Sequence, residues 1–430
     1  VLGNSLLYAY AKCGELCDMW DVFCALRVQD LVSWSTVFMG YVNNGHGFHA
    51  LELYEKMKHD GIRPDKVVFL AVLKASIGDD KGNAILSISN GFILHDEVIQ
   101  NGLESDTYVG SSLLDMYSKC GQVKEASKVF GKLSYPNVVC WNAMISCFAQ
   151  HGDGNSALKL YLRMQEEGIR PDKVIFLSIL KACSCIRDAG IARLIHGEIQ
   201  ETEFDLDIMV GSAVIDTYAK CSSILEAQEI FDNLKSKDIV SYNALLLGCI
   251  KHGRNHQSME CFKQMQCDGI APDAVTFLCM LKACGDIGVV DKGNRIHKDI
   301  LGQKMLKGNI VLGTALVDMY LKSGDLVKAQ QVFDELPIKD VVSWTTLIAG
   351  YTQQGDGEKA LNCFNQMQNE GLFLDAIAYV CCLSACASLE ALDQGRKIHA
   401  KISCNGFMIT HLETGNTLIG MYAKCGMLTE

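Results

Sequence analysis

The 430-residue chain is 49 % apolar and carries only 5 prolines, which excludes a mainly disordered protein and disfavours a loop-rich β fold. With 50 acidic and 39 basic residues the formal net charge is −11, so a polyanionic partner would need a local basic stripe on an otherwise acidic surface. No apolar run is long enough to span a membrane, and the 20 cysteines include no C-x-x-C pair, which removes the commonest zinc and redox motifs and points to a reducing compartment.

Self-similarity organises the chain. Val1–Asp30 is a unit of a first type lacking its first residue, Leu31–Asp65 a second type and Lys66–Asp106 a third. The triplet returns as Thr107–Asn137, Val138–Asp172 and Lys173–Asp207, then as Ile208–Asp238, Ile239–Asp273 and Ala274–Asn309. It returns once more as Ile310–Asp340, Val341–Asp375 and Ala376–His411, and an incomplete first-type unit occupies Leu412–Glu430. The second-type units are all 35 residues long, whereas the third-type units have 41, 35, 36 and 36. The first third-type unit therefore holds an insertion near Asp79 to Ser89, and a distorted or lengthened loop is expected from Gly78 to Gly91.

Each unit reads as two helices. In Val138–Asp172, Val139, Met144, Ile145 and Phe148 share one helical face, and Ala157, Leu158, Tyr161 and Met164 a second. His151-Gly152-Asp153-Gly154 breaks the helix between them. Pro171 stops the second helix, and Asp172 can cap the next one. Ala126, Ala157, Ala227 and Ala329 recur early in second helices, where a small side chain lets neighbours approach. Helix pairs this short cannot bury a core alone, so they are expected to stack into an all-α solenoid of about 25 helices, twelve pairs plus one, with a concave groove and no strands.

The unit Val138-Val139-Cys140-Trp141-Asn142-Ala143-Met144-Ile145…Gly168-Ile169-Arg170-Pro171-Asp172 resembles the pentatricopeptide repeat, and the W-x2-L-G-x2-Y signature of the tetratricopeptide repeat is missing. The alternation of 31-, 35- and 35/36-residue units resembles the PLS subclass of plant organellar proteins, with the first type as S, the second as P and the third as L. The resemblance covers the whole chain and rests on twelve complete or nearly complete units. It implies a right-handed superhelix that binds single-stranded RNA, one base per suitable repeat, a mode already described for the family. It further implies that the fifth residue of a repeat meets the base edge, the last residue supports that choice, and the second sandwiches the base.

On these positions stand fifth residues Asn4, Ser35, Ser111, Asn142, Ser212, Asn243, Thr314, Thr345 and Asn416, all small and polar. The last residues are Asp30, Asp65, Asn137, Asp172, Asp238, Asp273, Asp340 and Asp375, all hydrogen-bond acceptors. Second residues Val32, Tyr108, Val139, Met209, Val240, Val311 and Val342 are candidates to pack on base faces. In the L units the fifth residues are Leu70, Leu177, Leu278 and Val380, which cannot read a polar edge, so these units are expected to be spacers or weakly selective. Lys12, Lys119, Lys220, Lys322 and Lys424, near the first-helix ends of the S units, are the expected phosphate contacts. Polar fifth residues also suit helix starts, and terminal Asp residues cap helices everywhere, so capping and base reading are compatible assignments.

Trp34, Trp141, Trp344, Phe130, Phe231 and Phe333 are expected to pack between helices, and the rows Cys13, Cys120, Cys221, Cys425 and Cys183, Cys284, Cys386 to be small core residues. His196-Gly197-Glu198 matches the H-x-E of zinc-dependent cytidine deaminases, but no P-C-x-x-C follows; His196 is the L-unit histidine, repeated at His297 and His399. No catalytic, metal or cofactor motif stands out, so the chain is expected to be no enzyme and to bind no cofactor. The reading is a sequence-specific RNA-binding module acting in transcript editing, processing or stability in a mitochondrion or chloroplast, with a deaminase or other factor as a further partner. Two other readings stay open: a peptide-binding helical scaffold, and the N-terminal part of an editing enzyme. The chain starts at Val1, inside a repeat, and ends at Glu430, inside another; any transit peptide or deaminase domain is expected outside it.

Overall fold

A computed structural model describes residues 2–77, 84–306, 308–372, 374–404 and 412–427. Among them are 25 α-helices, one 3-10 turn at Glu203–Leu206, and no strand. The chain forms two compact units, Val1–Cys221 and Ser222–Glu430. The first holds the helix pairs Leu2–Cys13 and Leu16–Ala25, Leu31–Asn43 and Gly47–His59, Lys66–Ala75 and Ala84–Gln100, Thr107–Lys119 and Val123–Lys132, Val138–Gln150 and Gly154–Glu166, and Lys173–Ile186 and Ala189–Gln200, followed by Ile208–Lys220. The second opens on Ile224–Asn233 and continues with Ile239–Lys251 and Asn255–Cys267, Ala274–Ile287 and Val290–Gly302, Ile310–Lys322 and Leu326–Glu335, Val341–Gln353 and Gly357–Asn369, Ala376–Ser388 and Leu392–Cys404, and finally Leu412–Lys424. Within each unit every first helix packs on the first helix of the next pair, and each second helix whose pair lies in one unit lies against both its own first helix and the following one, while Ile224–Asn233 packs on Ile239–Lys251. The expected solenoid of stacked hairpins is therefore the fold.

The helices start and stop where local chemistry dictates. First helices are capped by the side chain of the preceding residue, as when Asp172 accepts from the Ile175 N–H and Asp340 from the Ser343 N–H. Each such cap is worth about 1 kcal/mol. First helices end on a left-handed residue fifteen places into the repeat. Gly152 has φ +80° there and Gly253 φ +68°, a conformation that costs glycine nothing. At the same place Arg187, Ser222 and Glu390 are forced to φ 61°, 64° and 52°.

Aromatic contacts lock S units to P units. Phe23 meets Trp34 edge-on with ring centroids 4.7 Å apart, and Phe130–Trp141 and Phe333–Trp344 repeat this at 4.9 and 4.7 Å. Phe231–Tyr242 keeps the geometry at 4.8 Å with a tyrosine in the tryptophan place. S units have glycine at this fourth position, because a Cβ on Gly110 or Gly313 would fall 2.6 or 2.3 Å from Leu133 or Leu336 of the same repeat. Ala126, Ala157, Ala227 and Ala329 are wholly buried, as close helix approach requires.

Polar pairs lock L units on both sides. The L-unit histidine meets the tyrosine of the following S unit through Nδ1 and the phenol: His95–Tyr117 at 2.8 Å, His196–Tyr218 at 3.3 Å, His297–Tyr320 at 3.0 Å and His399–Tyr422 at 2.9 Å. Burial pushes the His95, His196 and His297 imidazoles below their usual value, which keeps them neutral. Glu198 faces the other way and accepts from Tyr161 Oη at 2.5 Å and Gln165 Nε2 at 3.0 Å. The two ends of the H-x-E match are thus engaged by different neighbours. Tyr54 and Glu97 make the same pair one triplet earlier, while Phe262 and Phe364 replace the tyrosine where Asp299 and Lys401 replace the glutamate.

Two expectations need correction. In the first L unit the segment 84–91 is helical: Ala84–Gln100 has 17 residues against 12 and 13 in the L units that follow. The insertion extends the second helix at its start, where extra residues gain hydrogen bonds without disturbing the stack, so the expected loop cannot run to Gly91; residues 78–83 lie outside the described ones. Among the cysteines, Cys183, Cys284 and Cys386 are wholly buried, but in the other row Cys13 is exposed and Cys120 and Cys425 are half-buried. Core filling accounts for the row of Cys183, Cys284 and Cys386 and, in the other row, for Cys221, which is buried.

Two stability outcomes follow. Arg187→Gly, Ser222→Gly and Glu390→Gly should each stabilise by about 0.5–1 kcal/mol, read as a higher urea midpoint, and Gly152→Ala should do the reverse; equal midpoints would refute strain at this position. Phe130→Ala, at a side chain only 5 % exposed, should cost about 3–5 kcal/mol in the same assay.

Candidate nucleic-acid interface

Capping places the expected site residues. A first helix that begins immediately after its capping residue carries its second, fifth, sixth, ninth and thirteenth residues along one face. In Val138–Gln150 the third, fourth, seventh, eighth, tenth and twelfth residues are buried, so that face is the open one.

The second residues are exposed throughout. Val32, Tyr108, Val139, Met209, Val240, Val311 and Val342 keep 56–65 % of their surface. The L units share this feature, which the sequence reading left out: Val67, Val174, Val275 and Ile377 keep 40–61 %. An exposed apolar side chain at this register in the eleven units from Leu31 to His411, aliphatic except at Tyr108, presents a row of apolar contacts.

Four fifth residues touch the last residue of their own repeat. Asn142 Nδ2 donates to Asp172 Oδ2 at 2.9 Å, Asn243 Nδ2 to Asp273 Oδ1 at 3.1 Å, Thr345 Oγ1 to Asp375 Oδ1 at 3.3 Å, and Asn4 Nδ2 to Asp30 Oδ1 at 3.4 Å. The serines do not make this bond. Ser35, Ser111 and Ser212 bend back to the carbonyls of Leu31, Tyr108 and Ile208 at 2.6, 2.8 and 2.7 Å. Thr314 Oγ1 is buried without a hydrogen-bond partner, and so is Asn142 Oδ1. Asn243 is held at both ends, because its Oδ1 accepts from Thr276 Oγ1 at 2.7 Å.

The last residues have a second duty. Asp30, Asp65, Asn137, Asp172, Asp238, Asp273, Asp340 and Asp375 all cap the following first helix through the N–H three residues on. For Asp172 the duties are split: Oδ1 caps Ile175 and Oδ2 takes Asn142. The Ser33 N–H holds the Asp30 carboxyl below its usual value, and at Asp273 burial works upward but is outweighed by the Thr276 and Asn243 hydrogen bonds. Both are carboxylates at neutral pH.

The expected phosphate lysines are less free than the sequence reading assumed. Lys119, Lys220 and Lys322 pair with Asp115, Asp216 and Asp318 one turn earlier, at 2.9, 2.6 and 2.8 Å. Lys12 has Tyr8 there and lies 5.7 Å from its ring centroid. Two other lysines on the open face, Lys181 and Lys282, are exposed and have no ion pair among the described residues. Lys74 at the same place donates to Asn43 Oδ1 at 3.1 Å. The signal was present, since three of four L units carry lysine as their ninth residue. Among the described residues no group of His, Cys, Asp or Glu is arranged to hold a metal, and no helix is long and apolar enough to cross a membrane.

Comparison with known proteins identifies the repeat. The PPR repeat family profile matches residues 29–76, 136–185, 237–286 and 339–388, and the PPR repeat profile matches 111–134, 212–239 and 314–341. A pentatricopeptide repeat-containing protein of Arabidopsis thaliana is 32 % identical over 100 % of this chain and 61 % of its own length. A chloroplastic one is 30 % identical over 98 % of this chain and 51 % of itself, and a mitochondrial one 31 % identical over 99 % and 41 %. The chain thus spans about half the length of such relatives. The crystal structure of the pentatricopeptide repeat protein PPR10 in complex with an 18-nt psaJ RNA element superimposes with a TM-score of 0.75 at 18 % identity, covering 92 % of this chain and 59 % of that one. The crystal structure of the pentatricopeptide repeat protein PPR10 from maize gives 0.61 at 20 % identity, over 99 % of this chain and 66 % of that one. With repeat profiles across every triplet and the hairpin stack they describe, the chain belongs to the pentatricopeptide repeat family.

Proposed function

We propose that the chain is a sequence-specific binder of single-stranded RNA, built as one S–P–L array over residues 1–430 in which each S or P unit faces one base. The observation that carries this is the direct pairing of fifth and last residues, half-buried at Asn142 and buried at Asn243 and Thr345, an amide or hydroxyl against a carboxylate, beside an exposed aliphatic second residue. A donor and an acceptor held at fixed spacing match the edge of an unpaired base, and the aliphatic row offers its faces a surface. The likeness to PPR10, whose structure holds an RNA element, supports the reading.

The lysines on this face supply the phosphate side. Lys12, Lys119, Lys220 and Lys322 remain candidates, but three of them must leave an aspartate first. Lys74, Lys181 and Lys282 are better placed in charge, and they answer the acidic net balance. The setting is an organelle, in line with relatives named chloroplastic and mitochondrial. The role is in transcript editing, processing or stability, with any chemistry supplied by a deaminase or other factor outside the described residues.

Binding should be to single strands and weak or absent on duplexes, which hide the base edge, and it should weaken with salt. Filter binding or fluorescence anisotropy on matched single and double strands tests this; equal affinity would refute the groove reading, and capture of a peptide with no RNA binding would favour a peptide scaffold.

Family rules pair Thr or Ser with Asp for G, Ser or Thr with Asn for A, and Asn with Asp for U, with the N-terminus at the 5′ end. The target is then U-G-n-A-U-n-G-U-n-G-G-n. Asn142→Thr converts one U-type pair into a G-type pair, a geometry with a precedent in Thr345 and Asp375. Preference at the fifth base should move from U to G by about tenfold or more, with the other bases unchanged. An unaltered fifth base would show that Asn142 only braces the cap.

A further inference from the structure

The L units carry leucine or valine where a base-reading residue is expected, yet two of them rebuild the same hydrogen-bonding arrangement from another position. In the P unit ending at Asp172, one carboxylate oxygen caps the next helix and the other accepts from the fifth-residue amide of Asn142 at 2.9 Å. In the first L unit, Asp106 Oδ1 caps Tyr108 and Val109, and Oδ2 accepts from Lys66 Nζ at 2.7 Å. In the second, Asp207 Oδ1 caps Met209 and Val210, and Oδ2 accepts from Lys173 Nζ at 2.7 Å. Lys66 and Lys173 are first residues, one helical turn before Leu70 and Leu177 on the same face.

Lys66 Nζ also lies 4.4 Å from the ring centroid of Tyr108, the exposed second residue of the following repeat. The ammonium therefore stands between the last-residue carboxylate and the side chain expected to sandwich a base. Both ion pairs stay partly open, with side-chain exposures of 37 and 27 % for Lys66 and Asp106 and of 32 and 28 % for Lys173 and Asp207. Lysine and aspartate disappear together in the remaining L units, which have Ala274 with Asn309 and Ala376 with His411.

We propose that Lys66–Asp106 and Lys173–Asp207 make the first two L units selective for the keto bases guanine and uracil, so that these units are not spacers. An ammonium only donates and a carboxylate only accepts. Guanine presents its O6 acceptor beside the N1–H donor, and uracil its O4 acceptor beside N3–H, which complements that pair. Adenine and cytosine present an amino group beside a bare ring nitrogen, which sets donor against donor and acceptor against acceptor. The Lys173 ammonium is the largest influence holding Asp207 below its usual value, so the carboxylate is ionised at neutral pH.

The inference rests on the base-per-unit reading above, and its test separates the two. The full chain is titrated with 12-nt single strands of the target just given, each of the four bases being placed in turn at the third, sixth and ninth positions. G and U should exceed A and C by about tenfold at the third and sixth bases, and the ninth should be indifferent. Lys66→Met should flatten the third base alone and Lys173→Met the sixth alone, because methionine keeps the apolar stem without the charge. Ala274→Lys combined with Asn309→Asp should create the preference at the ninth base, a gain that loss of folding cannot mimic. Flat third and sixth bases beside a selective fourth and fifth would overturn this inference alone, as would preferences untouched by Lys66→Met and Lys173→Met. Absence of selectivity at every base would overturn the base-per-unit reading with it.

Discussion

The structure depends on a carboxylate or amide oxygen at the end of each of the eleven repeats from Asp30 to Asp375 accepting the third N–H of the next first helix. A helix start leaves several N–H groups without partners, and one correctly placed Asp or Asn satisfies one of them. Because this residue belongs to the preceding repeat, the bond also ties two repeats together. It sets the helix to begin at the same place in every unit, and from that one register follow the buried face, the open face and the left-handed turn fifteen residues in. Where the fifth residue is asparagine or the Thr345 hydroxyl, the same acceptor is held from behind as well. The group that would face a base is thus fixed in place by the demands of folding.

The three unit types divide the packing between them. P units bring a large aromatic at the fourth position, which needs a partner ring from the S unit before it. S units leave the fourth position as glycine and fill the space with a leucine from their own end, so their two helices lie close. L units use buried polar pairs, histidine to tyrosine on one side and, in the first two triplets, tyrosine to glutamate on the other. A buried phenol or carboxylate without its partner is costly, and where the phenol becomes Phe262 or Phe364 the glutamate is gone as well. The rule is complementarity between neighbouring units, and one unit taken alone would not display it.

Charge on the open face follows the same division. Three S units place aspartate at the ninth residue and lysine at the thirteenth, and the i,i+4 spacing turns them into local pairs. Three L units place lysine at the ninth residue; Lys181 has no acid one turn on, and Asp286, one turn after Lys282, lies 3.5 Å from Lys322 instead. A chain of net charge −11 can present a usable positive row this way, since the acids that outnumber the bases serve largely as caps and as partners within helices.

Much of this was legible in the linear sequence. Periodicity alone determined the helix pairs, their number and the all-α class, because a hairpin of about 35 residues has one way to bury its two apolar stripes. The polar fifth residues and acidic last residues stood out for the same reason, being exceptions to an apolar pattern. What the sequence could not express was contact between residues 26 to 43 places apart. Only tertiary structure decided that Asn142 and Thr345 reach Asp172 and Asp375 across their hairpins while Ser35 turns back on its own helix. It also decided that Lys119 is spent on Asp115 whereas Lys181 is not, that the insertion of the first L unit lengthens a helix, and that Lys66 and Lys173 take the place of the missing fifth-residue donor. Those outcomes depend on reach and direction in three dimensions, which residue order constrains only after the helices have packed.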